Sequence, residues 1–361
     1  MTEVDFIIVG QGLAGSTLSY QLAKLGKKIA VFDTQRETSS SWVAAGLFNP
    51  ITGRKMAKTW RADDLFPFLM QYYSEIEKNC GERLLNKMGI YRPFVSIEEQ
   101  NEWEARTADE AYEKYIERVS QKSEFVPIKD GFGGIHLKQS GFLDVQNYLE
   151  AMANILKNKG VIYKTELFET PLMNLDSGHV KYKDIEAKRV IFCDGRASME
   201  NPYFKWLPFK LVKGEILHVE SKMTLNKIIN RGVFVIPQTE NHFRVGATYD
   251  NFDLTLSTTP KGRLQIEAKL KELIDVEYAV KGQYAGIRPA TRDRKPFIGI
   301  HPKYKSVGIF NGLGAKGVSL APYFADQFAQ HLVNQSALDK EVDISRYFSF
   351  YNDNVSVTQY E

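Results

Sequence analysis

Three stretches hold residue types at spacings that can do chemistry. Near the N-terminus, Gly10, Gly12 and Gly15 form G-x-G-x-x-G directly after the apolar run Phe6, Ile7, Ile8, Val9. In such a unit the first glycine allows a sharp turn, the second lets backbone approach a pyrophosphate, and the third lets a helix pack close to its strand. The helix predicted over 13–25, with Leu13 and Ala14 at its start, aims its free N–H groups at the phosphates. The next strand ends on Asp33, followed by Thr34, where an acid can hold a ribose hydroxyl pair. The unit predicts a dinucleotide, and Asp33 alone would serve NAD or FAD. The second stretch is the glycine loop 312–317, at the positive end of a helix. Aimed at the pyrimidine edge of a flavin, it would stabilise negative charge on the reduced ring; otherwise it is a plain helix-capping loop. The third is Arg288, set between strand-like apolar residues and Pro289. A guanidinium there needs an anionic partner. Bidentate capture of a substrate carboxylate and an ion pair with Asp293 both satisfy that need.

The elements that must position these groups follow from periodicity. Amphipathic helices are predicted over 63–78, 144–159 and 260–274, and a charged, exposed one over 98–118 with Glu110 and Lys114 as an i,i+4 pair. Pro322 is tolerated only in a first turn, so the last long helix is predicted to begin near Ser319 and run to about Val333. Strands are predicted at 88–97, 161–164, 180–182, 189–193, 216–219, 233–236, 243–245, 284–300 and 306–310. Ser39, Ser40 and Ser41, then Ala44, Ala45 and Gly46, suit either close backbone approach to a flat ligand or a serine-capped helix start. Arg54, Lys55, Lys58 and Arg61 have no acid among them and read as a solvated face. The β-rich block 209–247 breaks the βαβ rhythm and predicts a second layer. The strand–glycines–helix unit at 306–333 repeats the construction of the N-terminal one, so the chain is expected to return to its first domain. The tail beyond Asp339 has few apolar contacts to offer and reads as a peripheral helical turn.

Composition narrows the class. The 361 residues suit two connected domains, and 47 basic against 44 acidic residues leave a net charge of +3, too little for a global polyanion binder. Two cysteines, Cys80 and Cys193, with no CxxC spacing, point to a reducing compartment and to no structural metal. Glu3 and Asp5 stand where a signal peptide would be basic, and no apolar run is long enough for a membrane span. A cytoplasmic protein is expected.

Taken in order, Gly10-Gln-Gly-Leu-Ala-Gly15, Val43-Ala-Ala-Gly46, Gly141-Phe-Leu-Asp-Val145, Val212-Lys-Gly-Glu215, Gly286-Ile-Arg-Pro289 and the loop from Gly312 to Pro322 resemble the FAD-dependent amino-acid and amine oxidases. That family includes glycine oxidase, D-amino-acid oxidase and sarcosine oxidase. The resemblance covers most of the chain. It implies an α/β two-domain fold: a Rossmann-like FAD domain of p-hydroxybenzoate hydroxylase type with a mostly antiparallel substrate domain. The expected division is 1–80, 141–205 and 284–361 for the FAD domain and 81–140 and 206–283 for the substrate domain. It implies non-covalent FAD, since no cysteine follows Arg288. Gly10, Gly12, Leu13, Ala14 and Gly15 would take the pyrophosphate, and Asp33 and Thr34 the adenosine ribose. Ser41, Ala44, Ala45 and Gly46 would lie along the pyrophosphate, ribityl chain and ring. Leu167 would meet adenine. Cys193, Gly195 and Gly286 complete the cofactor set, and Gly312, Leu313, Gly314, Ala315, Lys316, Gly317 and Val318 would cover the ring edge. Arg288 would hold a substrate carboxylate.

Phe234 and Ala315 stand where glycine oxidase has a tyrosine and a second arginine, which argues against glycine itself. Arg244 lies near the position of sarcosine oxidase's oxygen-activating lysine. The implied reaction is oxidation of a C–N bond in a carboxylate-bearing amine: hydride to flavin N5, imine hydrolysis, and reoxidation by O2 with release of hydrogen peroxide. Two other readings are a dehydrogenase that passes electrons to a carrier, and the oxidase half of the bifunctional wobble-uridine tRNA-modification protein. The segment 44–50 and the 312–317 loop look similar to the latter. A small-molecule substrate is favoured over tRNA.

Overall fold

The computed structural model describes residues 1–34, 39–53, 56–176 and 178–351. Two eight-stranded sheets organise it. The first is parallel at its centre, in the order Ile162–Lys164, Ile29–Phe32, Thr2–Val9, Ile185–Phe192. Its strands read as near-continuous apolar runs because helices cover them, and Ile7, Ile8, Ala30 and Val31 are fully buried. Strand Ile185–Phe192 is shared along its length. Its first half pairs antiparallel with His179–Tyr182, its second half parallel with Val307–Asn311. That second pairing returns the late strand–glycine–helix unit to the N-terminal sheet.

The second sheet runs Tyr278–Thr291, Phe209–Ser221, His242–Gly246, Val233–Thr239, Ile228–Arg231, Ile90–Pro93, Gly134–Leu137, Ile116–Ser120. Every pairing is antiparallel except Ile228–Arg231 with Ile90–Pro93. The expectation of a mixed α/β fold with a mostly antiparallel second layer agrees with this. A separate core lies under this sheet, built from Leu217, Val219, Val235, Val245 and the helix Pro260–Leu273.

The structure corrects several local expectations. The charged stretch 98–118 is not one helix. It divides into Ile97–Arg106, a short helix Glu110–Glu113 and the strand Ile116–Ser120. Asp109 stops continuity because its carboxylate accepts the Ala111 N–H at 2.9 Å and starts a new helix. Lys114 pairs with Asp63 rather than Glu110. The last long helix begins at Gly317, not near Ser319, so Pro322 lies inside it. Proline there leaves the Val318 carbonyl without its helical donor; the Tyr73 hydroxyl donates to it instead, at 3.0 Å. The segment after the serines opens with a helix, Ser40–Val43, whose N-cap Ser39 accepts the Trp42 N–H at 3.2 Å. The tail does form a helical turn, Ile344–Phe350, but Val342 and Ile344 are fully buried and anchor it.

Candidate active site

A continuous cleft of about 2500 Å³ is walled by both sheets and by the loops at the ends of the parallel strands. At one end the three N-terminal glycines interlock strand, turn and helix. Gly10 has φ +96°, and a Cβ there would stand 2.6 Å from the Cys193 carbonyl oxygen. A Cβ on Gly15 would stand 1.8 Å from the Gly10 carbonyl oxygen. Gly15 therefore packs helix on turn and does not itself line the cleft. Gly12, Leu13 and Ala14 do. The helix Leu13–Lys24 has no side-chain cap from its N-cap residue, Gly12. Ser41 Oγ accepts the Leu13 N–H at 3.1 Å, and a Cβ on Gly12 would come 2.8 Å from that oxygen. Asp33 accepts the Gln11 N–H at 3.0 Å, which ties the strand end to the glycine turn. Thr34 and the exposed Leu167 line the same end.

Behind this turn, Cys193 is buried, and burial pushes its thiol well up. It packs as a small apolar group. Asp194 is half-buried. Burial raises its carboxyl to about 6 despite hydrogen bonds from Ser198 and from Asn311 Nδ2 at 3.3 Å. Gly195 follows with φ +60° and lines the cleft.

The other end is assembled from distant parts of the chain. Ala44, Ala45 and Gly46 line it, and a Cβ on Gly46 would stand 1.9 Å from the Leu143 carbonyl oxygen. Residues 313–318 line it at the N-terminus of the helix Gly317–Asn334, which also lacks a side-chain cap. Gly312 is a packing glycine outside the cleft wall; its Cβ would meet Thr291 Cγ2 at 2.6 Å. Lys316 Nζ lies 3.5 Å from Thr59 Oγ1, and burial, with the Arg294 charge, lowers its pKa.

Arg288 projects from strand Tyr278–Thr291 onto the cleft side of the second sheet. Its Nη1 donates to the Thr248 carbonyl at 3.3 Å, and its guanidinium lies 4.6 Å from the Tyr249 ring centroid. Among the described residues it has no carboxylate partner. Asp293 is engaged elsewhere, by Arg346 at 3.1 Å. Burial lowers the Arg288 pKa, the mark of a cation removed from water without a counter-charge. Gly214, on the neighbouring strand, makes its position possible. A Cβ on Gly214 would fall 2.1 Å from Arg288 Nη2. Gly286 and Phe234 line the cleft nearby.

Arg244 is not brought to the cleft wall. Strand alternation puts it on the same sheet face, but paired with His218 and Ile236, beyond Gly246. Sequence reasoning also passed over four residues of this wall: Asp194, Gly214, Tyr249 and Arg92. Only Gly214 carried a signal, as the small residue inside an otherwise bulky strand.

These features test the site against a flavin dinucleotide. Two helix N-termini border the cleft, neither capped by its own N-cap side chain, and a Cβ on Gly12 would crowd the Ser41 hydroxyl that meets the first. The residues fit an extended pyrophosphate-containing cofactor with a planar group at the far end. The fold and cleft together define a dinucleotide-dependent oxidoreductase. The family model for FAD dependent oxidoreductases matches residues 5–331, and the chain belongs to that family.

Its cofactor is accordingly FAD, and its class is that of flavin-dependent amino-acid and amine oxidoreductases. The glycine oxidase of Bacillus subtilis (strain 168) is 26% identical over 94% of this chain and 94% of that protein. The tRNA 5-methylaminomethyl-2-thiouridine biosynthesis bifunctional protein of Legionella pneumophila (strain Corby) is 25% identical over 83% of this chain and 46% of its own length. Among solved structures, glycine oxidase from Geobacillus kaustophilus superposes with a TM-score of 0.79 at 18% identity, covering 96% of this chain and 98% of that one. Among the described residues no helix is long and apolar enough to cross a membrane, and no group of His, Cys, Asp and Glu could hold a metal ion.

Proposed function

We propose that this protein oxidises the C–N bond of an amine that carries a carboxylate on the carbon being oxidised: an amino acid or an N-carboxymethyl secondary amine. The observation that carries the proposal is Arg288, a half-buried guanidinium on the cleft wall with no carboxylate partner among the described residues. FAD, when bound, supplies the acceptor for the two electrons that leave the substrate. The chain supplies orientation. Arg288 takes the carboxylate in a bidentate fork, which fixes the carbon beside it. The Thr248 carbonyl and the Tyr249 ring hold the guanidinium in place, and Gly214 leaves the space it occupies. Phe234 offers an apolar ring without a hydroxyl. The product imine leaves for water and hydrolyses there. Gly10, Gly12 to Ala14, Ser41 and Asp33 are the residues proposed to hold the nucleotide end of FAD, non-covalently, and residues 313–318 its ring edge.

Ala315 is exposed and small, and with Phe234 it leaves room for a substrate larger than glycine. Nothing in the described part of the basic stretch favours tRNA. Lys58 is paired with Asp63, and Arg61 with Asp64 and Asp339; Arg54 and Lys55 lie outside the described residues. The test is anaerobic bleaching of the flavin against glycine, sarcosine, proline, D-amino acids and carboxymethylaminomethyl nucleosides. Carboxylate-bearing amines are expected to bleach it. Bleaching confined to amines without a carboxylate would overturn the reading. Peroxide yield in air then separates oxidase from dehydrogenase.

A further inference from the structure

Away from Arg288, the same wall of the cleft holds a second, differently built cationic group. Arg92, on strand Ile90–Pro93, and Arg231, at the end of Ile228–Arg231, both line the cleft, and between them stands one carboxylate, Glu99. Glu99 is already committed. It lies in the first turn of helix Ile97–Arg106, where Ser96 caps the Glu99 N–H at 3.3 Å. Its own oxygens accept the Val95 N–H at 3.1 Å and Arg231 Nη1 at 2.9 and 2.7 Å. Arg231 also donates to the Pro93 carbonyl at 2.9 Å. Arg231 is thus hydrogen-bonded to Glu99, whereas Arg92 meets that carboxylate only as a loose ion pair. The nearest approach of Arg92 to Glu99 is 3.7 Å, beyond hydrogen-bond distance, and its Nε is buried with no acceptor. The Arg92 side chain is only 13% exposed. Two guanidiniums share one carboxylate, and a buried N–H points nowhere. Burying a charge and a donor on those terms is costly unless something else completes them.

The sheet register places the incomplete group on the same side as Arg288. Phe234 pairs with both Asn230 and Gly246, and Gly246 pairs with Ile216. The parallel pairing of Ile228 with Ile90 then sets Arg92 beside Asn230. The row that begins at Arg92 ends on Tyr284, which pairs with Ile216; Arg288, paired with Val212, lies on the same face four residues further along that strand. Five inter-strand steps separate the two arginines. At ~4.8 Å each, with the four-residue offset at ~3.3 Å per residue, this is roughly 27 Å between backbones, shortened by sheet curvature and by two arginine side chains reaching inward.

We propose that Arg92 is a specificity-determining residue that receives a second anionic group, a carboxylate or a phosphate, at the distal end of an extended substrate whose first carboxylate lies on Arg288. This rests on the proposed function and deepens it. The substrate is then a carboxylate-bearing amine with an anionic tail many bonds away, not a compact amino acid.

The experiment uses the purified holoenzyme and perturbation of its flavin absorption bands as the binding readout. The probes are straight-chain monocarboxylates, α,ω-dicarboxylates and phosphate monoesters of ω-hydroxycarboxylates, each of increasing length. The expected result is a length at which a doubly anionic probe binds at least about tenfold more tightly than the monocarboxylate of equal length. Whether the dicarboxylate or the phosphate monoester leads identifies the tail. In Arg92→Gln that ratio is expected to collapse to about one, and in Arg92→Lys to survive in part. Equal binding of mono- and dianions at every length in the wild type would overturn the proposal, with no variant required. So would an unchanged ratio in Arg92→Gln. Failure of the underlying reading looks different. Short monocarboxylates would then bind equally well to Arg288→Gln and wild type, whatever the dianion ratio.

Discussion

At the glycine end of the cleft, residues 10–15, backbone does the shaping; at the Arg288 end, side chains from distant strands do it. The first end consists of one turn, pressed against the Cys193 carbonyl on one side and its own helix on the other. The second needs Arg288 from one strand, Gly214 from its neighbour, and Thr248 and Tyr249 from the loop beyond a third. A backbone site depends on space, so almost any side chain added there destroys it. A side-chain site depends on charge and position, so it should fail by degrees and leave the cofactor behind.

The largest expected effect tests the first half of that contrast. Gly15→Ala places a Cβ 1.8 Å from the Gly10 carbonyl oxygen, which backbone cannot yield to cheaply. The expected outcome is loss of soluble yellow protein, read as flavin content and yield after purification. A flavin-replete Gly15→Ala would mean that the turn is not the rigid part. Gly214→Ala comes next. It displaces the Arg288 guanidinium, since the new Cβ would lie 2.1 Å from Nη2. Steady-state kinetics on a carboxylate substrate should show KM raised at least ~10-fold, about 1.4 kcal/mol, with flavin content unchanged.

A smaller effect concerns pH. The Asp194 carboxyl has its pKa raised to about 6 in the fold against an ordinary 3.8, mainly by burial. The folded chain therefore keeps a proton that the unfolded chain has released. The resulting stabilisation is fully present below about pH 4 and lost as pH rises through about 6. Over that window it amounts to roughly 3 kcal/mol at most. The Tm difference between wild type and Asp194→Asn should shift across pH 4 to 7 in that sense; a pH-independent difference would contradict it. The smallest effect belongs to the basic stretch. Lys58 forms an exposed pair with Asp63 at 2.6 Å, so Lys58→Ala should cost less than about 1 kcal/mol and leave turnover unchanged. A large loss of turnover would reopen a role for that face.

The same contrast explains what the sequence revealed. The glycine end was legible because its causes are local: an apolar strand, three glycines, a helix and Asp33 follow one another in sequence. The return of the 306–333 unit to the first sheet was legible for the same reason. Arg288 was visible as a misplaced cation, but whether Asp293 pairs with it was not; that needed the fold, which gives Asp293 to Arg346. The stretch 98–118 misled because its charge pattern is compatible with a helix, while Ile116 is drawn into pairing with Leu137, distant in sequence. The start of the last helix misled because Tyr73, far away in the chain, satisfies the carbonyl that Pro322 leaves open. Arg92 gave no signal of its own. Its significance lies in Glu99 being committed to Arg231 and to the Val95 amide.

Replacing Arg288 tests the central claim most directly. Arg288→Ala and Arg288→Lys should be purified with their flavin and compared with wild type by anaerobic flavin reduction, using one carboxylate-bearing amine and its analogue lacking the carboxylate. The account predicts that Arg288→Ala keeps its flavin and loses at least ~100-fold in the reduction rate constant per unit substrate concentration with the carboxylate substrate, with Arg288→Lys in between and no loss with the analogue. Unchanged reduction of Arg288→Ala by the carboxylate substrate would contradict it.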